Sequence, residues 1–360
     1  MQVIQHSPEK LQVALVSSRR DLVERYQKFS REERRLLEEG LYPDSTLFGP
    51  ITVHSDSDWI RSHPEPPQDF LEFYSNPYRS TPVKGRSTVY IQTVGSFGEG
   101  DAVSRQYVCW LQEYCEAFYY GLAVKVLEPV PVSATGCAFR VNDSTRNLQI
   151  HAGDLLCYLK KRKPKDAFCI VGITMIDLYP RDSWNFVFGQ ASLTEGMGIF
   201  SFARYDDNFY SRSYKGRLWK GCKLSPGDYS VFSGYYIPPI TSSLLLRSCK
   251  TLTHEIGHIF GIKHCQWLKC VMQGSNHLEE SDRRPLDLCP VCLRKLQAAT
   301  GFKMAERYKA LLRWIEDGSS SGERRSATDS GPPSFKPTEA FEESRQWLRK
   351  CLCVLEDEIF

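Results

Sequence analysis

Apolar and polar residues in the middle of the chain follow helical spacing in some stretches and strand composition in others. Residues 103–120 carry apolar side chains at positions 103, 107, 110, 111, 114 and 118, the spacing of a helix with one buried face. A second, shorter helix is expected over residues 152–159. Strand composition is found at residues 87–94, 122–132, 168–176, 185–192 and 198–203. Because strands alternate with helices, the pattern predicts an α/β sheet with parallel pairs.

The last two strand-like stretches, residues 185–192 and 198–203, are not followed at once by a helix. A parallel neighbour needs a long crossover connection, whereas an antiparallel neighbour needs only a short turn. At least one of these two strands is therefore predicted to be an exposed antiparallel edge of the sheet.

The two ends of the chain have a different pattern from the middle. Residues 17–39 predict one or two charged helices, with Ser30 and Glu33 spaced as a capping box and Gly40 as a stop signal. Prolines crowd residues 64–82, where irregular structure is expected because proline lacks the N–H donor. We therefore predict that residues 1–85 form a partly helical, Pro-rich extension outside the core of a main domain at residues 86–315.

Beyond residue 288 the pattern predicts mostly helices. Two short helices are expected over residues 288–314, and helical spacing returns near the end, within residues 339–360. Residues 316–338 between them are rich in Ser, Gly, Pro and Glu, a composition that buries too little apolar surface to fold. They are predicted to be a disordered linker that leads to a C-terminal helix.

Composition and charge exclude several classes of protein. The chain has 360 residues, 41% of them hydrophobic and 25% charged, which is ordinary for a globular protein. No apolar run approaches the roughly 18 residues of a membrane span, so no membrane partner is expected. The net charge of +3 gives little support for nucleic-acid binding. The first ten residues lack the basic flank and apolar block of a secretory signal, so an intracellular location is expected, cytoplasmic with nuclear entry left open.

The segment HEIGHIFGIKHCQWLKC at residues 254–270 carries the candidate chemistry. Residues four apart share a helix face, so His254 and His258 can present two imidazoles to one metal ion. Glu255 lies about 100° around the helix from His254, where it can reach a metal-bound water instead of the ion. We predict that Glu255 is the general base that activates this zinc-bound water for hydrolysis.

A third histidine completes the predicted catalytic zinc site. On a continuous helix His264 would lie about 240° from His258, on the wrong face. Gly261 lets the helix end first, because glycine adopts a positive φ without steric cost, and the chain can then return His264 to the ion. Three histidines and one open position are the ligand set of a catalytic zinc.

The cysteines predict a second zinc. The chain has 13, an odd number. Cys265 and Cys270 form one pair and Cys289 and Cys292 a C-x2-C pair; four thiolates make a closed, structural zinc site, with a disulfide pair as the alternative in an oxidising compartment. Because Cys265 follows His264, this second zinc is predicted to hold the loop that positions the third histidine. The other nine cysteines, Cys109, Cys115 and Cys169 among them, are expected to be plain core residues.

Together these residues resemble the archaemetzincins, a metzincin family of zinc metallopeptidases. The resemblance rests on the three histidines with Glu255 and Gly261, on the four cysteines, and on Met272 two positions after Cys270; it covers residues 87–301. It implies an α/β (α+β) metzincin-like fold with a mixed sheet, an active-site helix and a small zinc-stabilised C-terminal subdomain at residues 265–300.

The resemblance also implies how the parts work. The active-site cleft would separate a sheet-bearing upper part from a smaller lower part, and an extended substrate would add to an exposed edge strand, for which residues 196–203 are the candidate. Met272 would lie beneath the catalytic zinc as the Met-turn residue, although the residues alone allow a plain core role for it. Two zinc ions per chain and a peptide or protein substrate are implied.

Two alternatives to an active peptidase remain at this point. A catalytically weak, zinc-stabilised module that binds peptides or partners would explain the metals, but the general base Glu255 argues against it. A zinc ribbon that binds nucleic acid would explain the cysteines, but the small net charge argues against it. The residues do not separate aminopeptidase from endopeptidase action, since no acidic group for a free amine is identifiable, and oligomeric state is not readable.

Overall fold

The computed structural model describes residues 1–98, 102–222, 224–320 and 335–356, and within them ten strands and thirteen α-helices. The strands are β1 (Gln2–Ile4), β2 (Ile51–Val53), β3 (Thr88–Thr93), β4 (Val124–Val126), β5 (Phe139–Val141), β6 (Leu148–His151), β7 (Ala167–Thr174), β8 (Asp177–Tyr179), β9 (Gly189–Ser192) and β10 (Met197–Ser201). The helices are α1 (Pro8–Val16), α2 (Arg20–Tyr26), α3 (Arg31–Glu38), α4 (Trp59–Ser62), α5 (Phe70–Ser75), α6 (Ala102–Phe118), α7 (Val132–Thr135), α8 (Ala152–Arg162), α9 (Ser242–Ile259), α10 (Leu278–Arg283), α11 (Pro290–Thr300), α12 (Met304–Ser320) and α13 (Glu342–Leu355).

A five-stranded mixed sheet forms the centre of the molecule, with strand order β4-β3-β7-β10-β9. The first four strands are parallel, and β9 joins the edge antiparallel to β10. Helix α6 packs between β4 and α9, and α8 covers β7 and β10. Two small sheets, β5-β6-β8 and β1-β2, lie beside it. The predicted mixed α/β class is confirmed.

The edge strand is not the one that the sequence indicates. Residues 196–203 contain β10, which is paired on both sides, with β7 and with β9, and is buried along its whole length. The exposed edge is β9, whose four residues are half-buried. The choice of residues 196–203 is therefore wrong, because composition marks a strand but does not reveal which neighbours it has.

Other predicted elements match the structure with shifted ends. The strand predicted over residues 122–132 is reduced to the three residues of β4, because Pro129 and Pro131 have no N–H for a sheet ladder. Of the nine cysteines expected in the core, Cys115 and Cys169 are among those that are buried, whereas Cys109 on α6 and Cys157 on α8 are exposed, so that expectation is wrong for these two.

Residues 1–85 are part of the main hydrophobic core, so the expectation that they lie outside it is wrong. Helix α1 begins at Ser7, whose side chain caps it, and packs on α5 and α11. Arg294 of α11 is buried; it donates to the carbonyl oxygens of Val16 (2.8 Å) and Leu22 (2.7 Å) and stacks on Phe70. The predicted capping box of Ser30 is present at the start of α3.

The C-terminal helices close the same core. Helix α13 packs against α12 and α3, which confirms a helix near the chain end. Of the predicted linker, residues 316–320 belong to α12, and residues 321–334 lie outside the described part of the chain. Among the described residues, no helix has both the length and the apolar composition needed to cross a membrane. The domain boundaries stay predictions.

Candidate metal centres

Helix α9 presents two histidines on one face. It begins at Thr241, whose hydroxyl accepts from the N–H of Leu244 (3.2 Å), and its core-facing side packs on α6 and on the sheet. His254 and His258, one turn apart, have ring centroids separated by 4.6 Å and Nε2 atoms separated by 3.0 Å. The helix therefore brings two imidazole nitrogens to one point, as the HExxH spacing predicts.

The helix ends where the sequence indicates. Gly261 has φ +87°, and its N–H donates to the carbonyl oxygen of His258 (2.8 Å). This left-handed residue turns the chain back, because it satisfies the last helical carbonyls and redirects the following residues. The ring of His264 then lies 5.4 Å from that of His254 and 4.8 Å from that of His258.

The outer nitrogens of His254 and His258 are held by backbone carbonyls. The Nδ1 of His254 lies 2.8 Å from the carbonyl oxygen of Val271, and the Nδ1 of His258 lies 2.7 Å from that of Ile262. A carbonyl oxygen only accepts, so these contacts favour a proton on each Nδ1 and leave Nε2 as a lone-pair donor to a metal; the Nη1 of Arg284 also lies 3.2 Å from the Nδ1 of His254. Burial lowers the pKa of both rings, that of His258 to about 3, so both are neutral ligands at neutral pH.

His264 has a carboxylate partner that sequence reasoning missed. Its Nδ1 donates to the two carboxylate oxygens of Glu65, at 3.0 and 3.1 Å. The hydrogen bond to His264 lowers the pKa of Glu65. The two residues are 199 positions apart, and Glu65 lies among prolines with no periodic pattern around it. No local signal could have identified it.

Glu255 lies at the wall of a cavity of about 630 Å³, a size typical of ligand sites. The three histidines line the same cavity, together with residues of β9 and the exposed side chains of Trp184 and Leu193. Burial raises the pKa of Glu255 to about 7, while His264 and Arg284 oppose this rise. A carboxyl group with a pKa near neutrality can both accept and return a proton.

The four clustered cysteines form a separate, buried group. Their Sγ atoms all lie within 4.8 Å of one another, and those of Cys265 and Cys289 are 3.6 Å apart. In a tetrahedron with Zn–S bonds of about 2.3 Å, the sulfur atoms would be about 3.8 Å apart. All thirteen cysteines are described, and all are free thiols, so the structure contains no disulfide at Cys265, Cys270, Cys289 or Cys292.

The thiols of this cysteine group are suited to a cation. Hydrogen bonds from the neighbouring thiols lower the pKa of Cys265, whereas burial raises the pKa of Cys270 and Cys289, so those two thiols would not ionise without a positive charge among them. The backbone N–H groups of Met272 and Cys289 point at the Sγ of Cys270, at 3.4 and 3.3 Å, an arrangement that stabilises a thiolate. The donor set therefore fits zinc.

One loop joins the two groups of ligands. Met272 is fully buried, and its carbonyl oxygen accepts from the N–H of Cys265 (2.8 Å). The preceding residue, Val271, provides the carbonyl that holds His254. The side chain of Met272 packs against α9 at Gly257, where a Cβ atom would lie only 2.6 Å from its sulfur. The loop at residues 265–272 therefore supports α9 through the contacts of Val271 with His254 and of Met272 with Gly257.

Comparisons with known proteins assign the chain to a family. A family model described as peptidase family M54 matches residues 188–298. Archaemetzincin-2 of Macaca fascicularis is 64% identical over 99% of this chain and 100% of its own length, and archaemetzincin-2 of Homo sapiens is 62% identical over the same shares. The crystal structure of archaemetzincin from Methanopyrus kandleri shares 25% identity, covers 61% of this chain and 99% of its own, and has a TM-score of 0.41. The chain belongs to the archaemetzincins, a family of zinc-dependent metallopeptidases.

Proposed function

We propose that this peptidase hydrolyses peptide bonds in the cavity formed by His254, His258 and His264, with Glu255 as the general base. The observation that carries the proposal is the convergence of the three rings, whose Nδ1 atoms are engaged by a carbonyl or carboxylate partner. The three histidines would hold a zinc ion there, which would supply a Lewis acid that polarises the scissile carbonyl and acidifies water. The three neutral imidazoles leave the charge of the ion largely uncompensated.

The reaction then depends on where Glu255 can move a proton. Its carboxylate accepts the proton of the attacking water, and its neutral form returns that proton to the departing amine. The pKa of about 7 that burial gives the group suits both steps. A positive charge in the cavity would lower this pKa and keep the group ionised until it takes the proton.

The substrate is a peptide or protein, and we infer that it binds along β9. Strand β9 has β10 on one side, and it ends the sheet on the other. Its residues Gly189, Gln190 and Ala191 line the same cavity as the histidines. An extended peptide can therefore pair with the free backbone groups of β9 and bring its scissile bond to Glu255.

A second zinc, at the four cysteines, supports the first in this proposal. Because Cys265 follows His264 directly, a metal at the cysteines would fix the loop that carries the third histidine. Residues 265–300 are thus a zinc-stabilised subdomain whose task is structural. Met272 and Gly261 are supporting residues, one beneath α9 and one at its end.

The Glu255→Gln variant tests the proposal. Incubation with a diverse peptide mixture, read by mass spectrometry, is expected to show products from the wild type and a rate lower by about 100-fold to 10,000-fold for the variant. Both proteins should contain two zinc ions by elemental analysis. The positions of the cleaved bonds also show whether the enzyme removes N-terminal residues or cuts internally.

Glu24→Gln is a matched control, because Glu24 pairs with Arg20 on the surface of α2 and does not line the cavity. Its rate should equal that of the wild type. Substantial hydrolysis by Glu255→Gln would overturn the general-base role. A wild type that binds peptides and two zinc ions but cleaves none of the mixture would favour the alternative, a zinc-stabilised peptide-binding module.

A further inference from the structure

The partner of His264 comes from the N-terminal part of the chain. The carboxylate of Glu65 accepts from the Nδ1 of His264, and its Oε1 also accepts from the indole N–H of Trp59 (3.0 Å). The ring of Trp59 stands edge-on to the ring of His264, with centroids 4.9 Å apart. His264 is thus held by two side chains of the segment at residues 58–68, and both of them also line the cavity.

This segment is fixed at both ends. At its start, Asp58 is only 2% exposed and accepts from the guanidinium of Arg283 (2.7 Å). At its end, the amide of Gln68 donates to the carbonyl oxygen of Gly261 (3.0 Å) and accepts from the N–H of Lys263 (3.1 Å). Gln68 therefore holds the chain just before His264, and Glu65 lies on a segment that is anchored at both ends.

The three histidines are oriented in two chemically different ways. His254 and His258 donate to neutral carbonyl groups close to them in the fold. His264 donates to a carboxylate, which fixes the tautomer and also makes the imidazole a stronger ligand. His264 needs this support most, because it lies beyond the end of α9, on a loop.

We propose that Glu65 is a positioning residue of the histidine centre, and that it sets the zinc affinity of that centre by orienting His264. This inference rests on the proposed zinc site. Residues 58–68 would then contribute to the active site of the peptidase, although they lie in the N-terminal part of the chain. Loss of an outer carboxylate of this kind typically weakens metal binding by about 10-fold to 100-fold.

The test is a zinc competition titration against a chromophoric chelator on full-length protein. Glu65→Ala is expected to lower the affinity of the histidine centre by about 10-fold to 100-fold, and Glu65→Gln, which keeps an acceptor but no charge, by less. The cysteine centre should be unchanged. The visible spectrum of cobalt at the histidine centre, which reports ligand geometry, should shift in both variants.

Glu72→Gln is the matched control, because Glu72 comes from the same part of the chain and pairs with Lys263 (2.6 Å), next to His264, without touching the ring. Its affinity should stay within 2-fold of the wild type. If the wild type binds two zinc ions and Glu65→Ala binds zinc at the histidine centre with unchanged affinity, the positioning role of Glu65 is overturned and the histidine site is not. A wild type that binds one zinc, at the cysteines, would overturn the histidine site and this inference together.

Discussion

Gly257, between the two histidines of α9, offers a quantitative test of how the helix rests on the loop beneath it. Its backbone is buried, and a Cβ atom there would lie 2.6 Å from the sulfur and 3.0 Å from the methyl group of Met272. Met272 has 0% exposure, so its flexible thioether would have to repack within the core to make room for a methyl group. We therefore expect Gly257→Ala to displace the side chain of Met272 from its position against the helix.

Two opposing effects set the size of the change. Alanine is preferred to glycine inside a helix by about 1 kcal/mol. Overpacking a filled core by one methyl group costs about 1–3 kcal/mol. The midpoint of the overpacking cost, about 2 kcal/mol, exceeds the helix preference for alanine, about 1 kcal/mol. Gly257→Ala should therefore lower the free energy of unfolding by about 1 kcal/mol. Such a loss would explain why the helix carries a glycine at a position where alanine would suit the helix better.

A double-mutant cycle with Met272→Ala separates the two effects. Without the methionine side chain the clash is absent, so Gly257→Ala should now raise the free energy of unfolding by about 1 kcal/mol. The coupling between the two positions is thus about 2 kcal/mol, measurable by urea unfolding of the zinc-loaded proteins. If Gly257→Ala stabilised both backgrounds equally, Met272 would not pack against α9 as described.

Two further predictions concern the cysteine centre and a buried cation. Cys289→Ser should bind one zinc ion less than the wild type and be less soluble and less stable. Cys249→Ser, at a buried thiol outside the cluster, should keep the full metal content. Equal metal content in the two variants would contradict a second zinc at the cysteines. Burial lowers the pKa of Lys250 to about 8, so its charge costs up to about 3 kcal/mol below pH 8, and this cost vanishes as the pH rises to about 10.5. Lys250→Met should therefore be more stable than the wild type at pH 7 and lose much of that advantage at pH 9.5 in urea unfolding; an advantage that is the same at both values would contradict this.

The residues of the site could be predicted where the chemistry is local in sequence. His254, Glu255 and His258 share one helix, so their spacing alone indicates their arrangement. Gly261 and His264 follow within six residues, and the turn between them needs only a positive φ at the glycine. In such short segments, helical geometry leaves few alternatives.

The features that could not be predicted depend on contacts between distant parts of the chain. Glu65 reaches His264 across 199 positions, and nothing in its own neighbourhood marks it as a functional residue. Residues 185–192 and 198–203 both have strand composition, and only the pairing of β10 with β7 makes β9 the edge. The charged helices at the N-terminus show many polar residues in sequence, while their few apolar ones, such as Leu22 and Leu36, are fully buried.

The central claim is that one chain holds two zinc ions at two separate centres. Elemental analysis of zinc in the wild type and in His258→Ala tests it most directly, because His258 contributes to the histidine centre and is not one of the four cysteines. We expect two zinc ions in the wild type and about one in the variant. One zinc ion in both proteins would contradict it and leave the histidines without a metal.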